Sequence, residues 1–140
     1  MTALRILVAD DDKVISLLVC STLRKAGYFP VPAFDAMQAL MFAMRDPQPE
    51  AIILDLNMPG GGGLVTLKKL KASARTAEIP VLVLTGDSSA DVPAMVSDLG
   101  AHSFLSKPLE AAAMLDDLDR ILGIVTQRPK ELEGAKLRLA

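Results

Sequence analysis

Short apolar runs alternate with longer amphipathic stretches along this chain. Three runs rich in Val, Ile and Leu predict buried strands at about residues 5–9, 51–54 and 80–84, and two further strands are predicted at about 103–106 and, more weakly, at 28–32. Five stretches with apolar residues at every third or fourth position predict helices at about 13–26, 35–45, 64–72, 89–99 and 110–122. Because apolar strands alternate with helices, we expect a parallel sheet that is covered by helices on both faces.

Residues at the ends of these segments support the same interpretation. Asp35 is a suitable N-cap for the second helix, and Gly27 is typical of the residue that follows a helix. Pro30 and Pro32 lie in the second strand and cannot donate backbone hydrogen bonds. We therefore expect the second strand at an edge of the sheet.

The composition is that of a folded domain, with 140 residues of which 51% are hydrophobic and 23% charged. We predict one domain over residues 1–123 and a C-terminal tail over 124–140 that is too short for a second domain. Residues 1–123 carry 11 basic and 15 acidic side chains, so 11 − 15 gives −4; the tail carries four and two, so 4 − 2 gives +2. The tail is either a frayed helix or an interaction arm, and the sequence leaves both open.

Composition also argues against several classes of function. Only five residues are aromatic and the net charge is −2, which disfavours direct binding of nucleic acid. The single cysteine, Cys20, excludes an internal disulfide framework and a multi-cysteine zinc site. No apolar run approaches the roughly 18 residues needed to cross a bilayer, so we expect a cytoplasmic protein without membrane insertion.

Polar residues directly follow four of the predicted strands. Asp10 and Asp11 follow the first strand, Asp55 the third, Thr85 the fourth and Lys107 the fifth. In an open parallel sheet, ligands bind beyond the carboxyl ends of the strands. We therefore expect these five side chains to converge at one edge of the sheet.

Converging carboxylates repel each other and need a counter-ion. Two like charges about 4 Å apart cost roughly 1 kcal/mol in water and about 4 kcal/mol at an effective dielectric of 20. Oxygen ligands without His or Cys favour Mg²⁺. With Mg²⁺ neutralising a phosphoryl group, Asp55 can act as a nucleophile and form an acyl phosphate, while Lys107 and Thr85 bind the other phosphoryl oxygens. The pattern therefore indicates phosphoryl transfer.

Four segments, in this order, resemble the receiver domains of two-component response regulators, especially the single-domain chemotaxis type. They are ILVADDD at 6–12, ILDLNMPGGGGL at 53–64, VLTG at 83–86 and FLSKP at 104–108. The spacing also matches: 45 residues separate Asp10 from Asp55, 30 separate Asp55 from Thr85, and 22 separate Thr85 from Lys107. The resemblance covers about residues 4–123. It implies a flavodoxin-like (βα)5 three-layer α/β sandwich with sheet order 2-1-3-4-5.

The resemblance also implies the central residues of the site. Asp55 is expected to be the phospho-acceptor, with Lys107 and Thr85 as its catalytic partners. Mg²⁺ is expected on a set of four ligands: Asp10, Asp11, Asp55 and the backbone carbonyl of Asn57.

Further residues receive roles from the same resemblance. Thr85 and Phe104 resemble the switch pair, in which the hydroxyl moves to the phosphoryl group and the aromatic ring follows inward. Gly86 and Asp87 are expected beside the path by which the phosphoryl group enters. The bond between Lys107 and Pro108 is expected to be a cis peptide.

The implied partners are proteins. A histidine kinase or a phosphotransfer protein would donate the phosphoryl group, and the chain would catalyse only its own phosphorylation and dephosphorylation rather than act as an enzyme. Phosphorylation would switch a face built from the fourth helix, the fifth strand and the fifth helix, which binds a downstream protein target. A monomer or a weak dimer is expected.

Two other functions use the same residues. A Mg²⁺-dependent phosphatase would also use Asp55 as its nucleophile, but it needs an acid two residues later, where this chain has Asn57. A receiver-like scaffold that is never phosphorylated is the third possibility, although all the expected site residues are present.

Some notable residues have simpler interpretations. Asp12 is expected to cap the first helix or to be solvated, Cys20 to be a buried structural thiol, and His102 to lie at the surface. Met37, Met41 and Phe42 lie off the inner stripe of the second helix, where they form either an adaptable contact surface or a partly buried one.

Overall fold

A computed structural model of the chain describes residues 3–58, 62–86, 92–107, 109–124 and 136–137. Within these residues, the five predicted strands and the five predicted helices alternate as expected, and two short strands occur that the sequence pattern does not predict. In chain order they are β1 Arg5–Ala9, α1 Lys13–Lys25, β2 Phe29–Ala33, α2 Ala36–Met44, β3 Ala51–Asp55, α3 Gly62–Ala72, β4 Val81–Thr85, α4 Val92–Asp98, β5 Ser103–Ser106, β6 Leu109–Glu110, α5 Ala111–Leu122 and β7 Lys136–Leu137.

Five parallel strands form the main sheet, in the order β2-β1-β3-β4-β5. The predicted fold class and the predicted sheet order are therefore confirmed. The strand β2 lies at one edge, where Pro30 and Pro32 leave no donor for another chain, as expected. A separate antiparallel pair joins β6 to β7, with Glu110 opposite Lys136.

Side chains from the sheet enter two apolar clusters, one on each face. Ile53 belongs to the cluster with α1 and α5, whereas its neighbours Ile52 and Leu54 belong to the cluster with α2, α3 and α4. Successive residues of a strand point to opposite faces, so an uninterrupted apolar run supplies both clusters. Polar side chains are consequently accommodated at the strand ends.

The third helix begins earlier than the sequence pattern predicts, at Gly62 instead of residue 64. Gly62 adopts a left-handed φ of 76°, which costs glycine little, and it brings the chain back towards β3. The amide of Gly63 then donates a hydrogen bond of 2.7 Å to the carbonyl of Leu56. The first turn of α3 is therefore held against the segment that follows β3.

Several simpler interpretations can be compared with the structure. Cys20 is buried at 3% exposure, as expected, and His102 lies at the surface. Met37 and Met41 are 78% and 49% exposed, so Met37 is more open to solvent than partial burial implies. Of the helices within the described ranges, none has the length and apolarity that crossing a membrane requires.

The start of α2 gives a test of the local capping. The Asp35 carboxylate accepts a hydrogen bond of 2.8 Å from the Gln38 amide, and the Gln38 side chain accepts one of 2.9 Å from the Phe34 amide. We expect Asp35→Ala to lower the free energy of unfolding by about 1 kcal/mol, because the cap is lost. Urea titration followed by circular dichroism measures this, and Asp35→Asn, which keeps an acceptor, should stay close to wild type. An equal loss in both variants would contradict the capping role.

Candidate functional site

Three carboxylates meet at the carboxyl edge of the sheet. Asp10 directly follows β1 and Asp55 is the last residue of β3, the strand next to β1. Both are buried, at 3% and 4% exposure, whereas Asp11 is exposed. One oxygen atom from each of the three carboxylates lies within 4.8 Å of the others. The topology therefore concentrates negative charge at the position that the sequence predicts.

A single ammonium group lies between the two buried carboxylates. The Lys107 Nζ is 3.8 Å from Asp10 Oδ2 and 3.6 Å from Asp55 Oδ1. The backbone amide of Lys107, just beyond β5, donates a hydrogen bond of 2.8 Å to the Thr85 carbonyl. This bond ties the lysine to the end of β4. The structure thus brings four of the predicted residues together: Asp10, Asp11, Asp55 and Lys107.

Backbone amides orient the buried carboxylates. The amide of Asp12 donates to Asp10 Oδ1 at 2.9 Å, and the amide of Asn57 donates to Asp55 Oδ1 at 3.2 Å. The Asp12 side chain caps α1, as expected. Its amide contact with Asp10 was missed in the sequence, although a hydrogen bond from an Asp side chain to the backbone two residues later is a common turn motif.

The electrostatic environment perturbs Asp10. Burial, followed by the nearby Asp55 and Asp11 carboxylates, raises its pKa to about 6. The Asp12 amide and the Lys107 ammonium act in the opposite direction but do not cancel the effect of burial. Without a further cation, the ionised Asp10 is therefore an unfavourable group in the folded protein.

The donor set suits a hard divalent cation. Every ligand offered by the carboxylate cluster is an oxygen atom, which is the preference of Mg²⁺ and Ca²⁺. Asp11 is exposed, so that the cluster is open to solvent on one side and can receive an ion with its waters. A cation would also relieve the repulsion that raises the pKa of Asp10. On these grounds the residues fit a magnesium site.

The other predicted residues lie around this cluster in different environments. Thr85 ends β4 and is fully buried, while Gly86 beside it is exposed. Phe104 lies on β5, paired with Val83, and is partly buried against the cluster that contains α4. Asn57 is exposed in the segment after β3.

Two predicted residues, Asp87 and Pro108, lie outside the described residues, and so does the cis peptide expected between Lys107 and Pro108. Among the described residues, a cis peptide occurs between Asp46 and Pro47.

Comparison with known proteins identifies the family. The model of the response regulator receiver domain matches residues 6–119, and the chain belongs to this family. The receiver domain is the signal-receiving part of two-component response regulators. Members of this family typically accept a phosphoryl group and interact with histidine kinases and downstream effectors.

Individual relatives support the assignment. The chain is 32% identical, over 139 residues, to the phosphate regulon transcriptional regulatory protein PhoB of Klebsiella pneumoniae. This match covers 96% of the chain but only 60% of PhoB. The chain thus spans about 60% of the length of that relative, and what the whole of PhoB does is not transferred to it.

Solved structures share the fold. Chemotaxis response regulator CheY4 of Vibrio cholerae aligns with a TM-score of 0.80 at 31% identity, covering 86% of this chain and 100% of CheY4. The receiver domain of the sensor histidine kinase PA1611 from Pseudomonas aeruginosa aligns with a TM-score of 0.80 at 24% identity, covering 87% and 99%. That domain was solved with a magnesium ion in its active-site cleft. Both structural alignments agree with the sheet order described above.

Charge repulsion within the carboxylate cluster can be tested by Asp10→Asn. The amide keeps an acceptor for the Asp12 amide but removes one buried negative charge. In buffer without divalent cations, at a pH well above 6, we expect the free energy of unfolding to rise by about 1 kcal/mol. Chemical unfolding in EDTA measures this.

The exposed Asp11 supplies the matched control. Asp11→Asn should have a smaller effect, because that carboxylate retains its hydration. A destabilised Asp10→Asn would show that the carboxylate contributes more through its attraction to the Lys107 ammonium than it costs through burial and repulsion.

Proposed function

We propose that this chain is the phospho-accepting receiver of a two-component signalling pathway and that Asp55 is the residue that takes up the phosphoryl group. The observation that carries the proposal is the position of the Asp55 carboxylate. It lies at the end of β3 within 4.8 Å of two further carboxylates and 3.6 Å from the Lys107 ammonium. A nucleophile, a cation and ligands for a metal ion therefore share one edge of the sheet.

The chain's own residues can perform the transfer with little covalent chemistry. An Asp55 oxygen forms the new P–O bond as the P–N bond of a phosphohistidine donor breaks, and the leaving imidazole takes up a proton. The Asn57 amide holds Asp55 Oδ1, which leaves the other oxygen for the attack. Lys107 stabilises the negative charge on the phosphoryl oxygens. Its distances to Asp10 and Asp55 support this role.

Mg²⁺ is the cofactor that this site would use. We propose Asp10, Asp11, Asp55 and the backbone carbonyl of Asn57 as its ligands, which fits the all-oxygen donor set. When bound, the ion neutralises charge on the phosphoryl group during transfer. Asp10 and Asp11 would hold the ion, and Asp55 would serve both as a ligand and as the nucleophile.

Thr85 and Phe104 are the proposed switch pair. Thr85 ends the strand next to Asp55, so its hydroxyl has a short path to a phosphoryl group there. Phe104 borders a cavity of about 200 Å³ between α4 and β5, which offers room for its ring to change position. Gly86 is exposed at the end of β4, which agrees with a role in access of the phosphoryl group, and Asp87 is proposed for the same role.

The proposed setting of the domain follows from these roles. The receiver domain would span residues 1–123, with residues 124–140 as a tail, and it would act in the cytoplasm as a monomer or weak dimer. Its donor would be a histidine kinase or a phosphotransfer protein. Its output would be binding of a protein target at the face of α4, β5 and α5, without direct contact with nucleic acid. The chain would modify only itself, and thus not act as an enzyme.

The alternative functions receive less support. A Mg²⁺-dependent phosphatase is not favoured, because the family match and the relatives are response regulators. No feature of the site favours a chain that is never phosphorylated. The Lys107 ammonium lies 3.8 Å from Asp10 and 3.6 Å from Asp55, as a phosphoryl-accepting site requires.

Phosphorylation of Asp55 is tested with a small phosphodonor. Incubation with phosphoramidate and Mg²⁺ should add one phosphoryl group to the wild-type chain, and Asp55→Asn should abolish the adduct. Intact-protein mass spectrometry at low pH, where acyl phosphates survive longest, measures it. Asp35→Asn is the matched control, because it removes another carboxylate while keeping the helix cap. An adduct that persists in Asp55→Asn would place the phosphoryl group elsewhere.

Metal binding has a readout that does not depend on phosphorylation. At Mg²⁺ ten times above its dissociation constant, the folded chain should gain about 1.4 kcal/mol of stability over the same chain in EDTA. Asp10→Asn should lose most of this gain. Urea unfolding at matched ionic strength, with K⁺ replacing Mg²⁺ in the control, separates specific binding from screening. Equal stability in the two salts would argue against the metal site.

A further inference from the structure

We infer that Gly63 is a positioning residue for Asp55: its missing side chain allows the first turn of α3 to lie directly on the Asp55–Leu56 peptide and so fixes the carboxylate in the site. The inference rests on the proposed function of Asp55. No step of the proposed transfer uses Gly63 itself, and its effect is exerted through the backbone that carries the acceptor.

The contact concerns backbone atoms on both sides. A Cβ atom added at Gly63 would lie 3.0 Å from the Asp55 carbonyl carbon, and closer still to the Asp55 oxygen and the Leu56 Cα. Real Cβ atoms essentially never approach other atoms more closely than 3.0 Å. Since these neighbours belong to the backbone, no side-chain rotation can make room.

The adjacent glycine differs. A Cβ at Gly62 would lie 3.5 Å from the Leu56 carbonyl, an ordinary contact, so that Gly62 is required only by its φ of 76°. Gly63 has no positive φ, and an alanine there would suit its backbone conformation but not its surroundings. Glycine is therefore required at position 63 because the backbone of Asp55, the proposed acceptor, leaves no space for a side chain there.

Because α3 resists displacement, we expect part of the shift to fall on the end of β3. The helix α3 is anchored by Leu67 and Leu70, which are fully buried in the core below it. Asp55 is the last residue of its strand, held by its pairing with Leu84 and by the hydrogen bond of 3.2 Å from the Leu56 amide to the Leu84 carbonyl. A methyl group at position 63 therefore displaces the Asp55–Leu56 peptide, and the carboxylate with it.

Such a displacement affects the site at a sensitive point. The Asp55 carboxylate is located by its 3.2 Å bond from the Asn57 amide and its 3.6 Å distance to Lys107 Nζ. Lys107 lies beyond β5 and would not follow the shift, and the bond from the Asn57 amide depends on the conformation of the displaced segment itself. In-line transfer depends on alignment within about 1 Å, and misplacement by that amount can cost up to about 100-fold in rate.

The test compares two glycine variants of the full-length chain. Gly63→Ala should lower the rate constant of phosphorylation by phosphoramidate, at saturating Mg²⁺, by about tenfold or more. Gly27→Ala is the matched control: Gly27 has a φ of 94° in the turn before β2, at the opposite end of the sheet, so that alanine costs stability without touching the site. Rates are measured below the unfolding temperature of each variant and are corrected for the folded fraction.

A second readout separates positioning from a loss of folding. Beryllofluoride mimics a phosphoryl group on a carboxylate, and its ¹⁹F NMR signal reports the fraction bound. Gly63→Ala should bind it at least tenfold more weakly than Gly27→Ala. If Gly63→Ala is partly unfolded, both variants are compared with wild type in trimethylamine N-oxide, which favours the compact state.

Each outcome either supports or overturns the positioning role of Gly63. A folded Gly63→Ala that is phosphorylated within twofold of Gly27→Ala overturns it, and so does a Gly63→Ala that stays unfolded in the osmolyte, because Gly63 would then serve the fold as a whole. A selective loss of rate and of beryllofluoride binding supports it. If wild type and Gly27→Ala also fail to be phosphorylated while Mg²⁺ binds, the proposed function fails, and the inference about Gly63 fails with it.

Discussion

The balance of charge around Lys107 is the constraint on which the site depends. Asp10, Asp11 and Asp55 form three repulsive pairs, and the lysine offsets them with close contacts to Asp10 and Asp55. At an effective dielectric of 20, each such interaction amounts to about 4 kcal/mol at 4 Å. The cluster therefore holds surplus negative charge, and the apolar clusters on both faces of the sheet must offset its cost. A divalent cation would remove the surplus, and under the proposed function an incoming phosphoryl group would then meet a charge environment that accepts it.

The order of the strands explains why these residue types occupy these positions. The strands β1 and β3 are neighbours, so short aspartates at their ends suffice to bring the carboxylates together. The strand β5 lies two positions from β3, roughly 9.5 Å away at the usual strand spacing. Only a long side chain can bridge that distance, and Lys107 does so across the end of β4, where its amide is bonded to Thr85.

Much of this arrangement was predictable because it is encoded locally. The run AIIL at 51–54 marks a strand buried on both faces, and the acid that follows it lies where parallel strands present ligands. Features that depend on distant backbone were not predictable. Tyr28 was assigned to β2, yet the strand begins at Phe29 and the Tyr28 hydroxyl donates to Asp119, a residue 91 positions away. No local pattern contains that partner.

The site is buried on one side and exposed to solvent on the other. Asp10, Asp55 and Thr85 are buried, so their interactions with charge are weakly screened, whereas Asp11, Asn57 and Gly86 are exposed. Under the proposed function, a donor would approach from the exposed side, and the charge that it delivers would act most strongly on the buried side. Because the Lys107 amide donates to the Thr85 carbonyl at the ends of β4 and β5, a proposed change of charge at Asp55 would act on the two strands that lead to α4 and α5. The proposed output face of α4, β5 and α5 thus follows from the strands that carry the buried residues of the site.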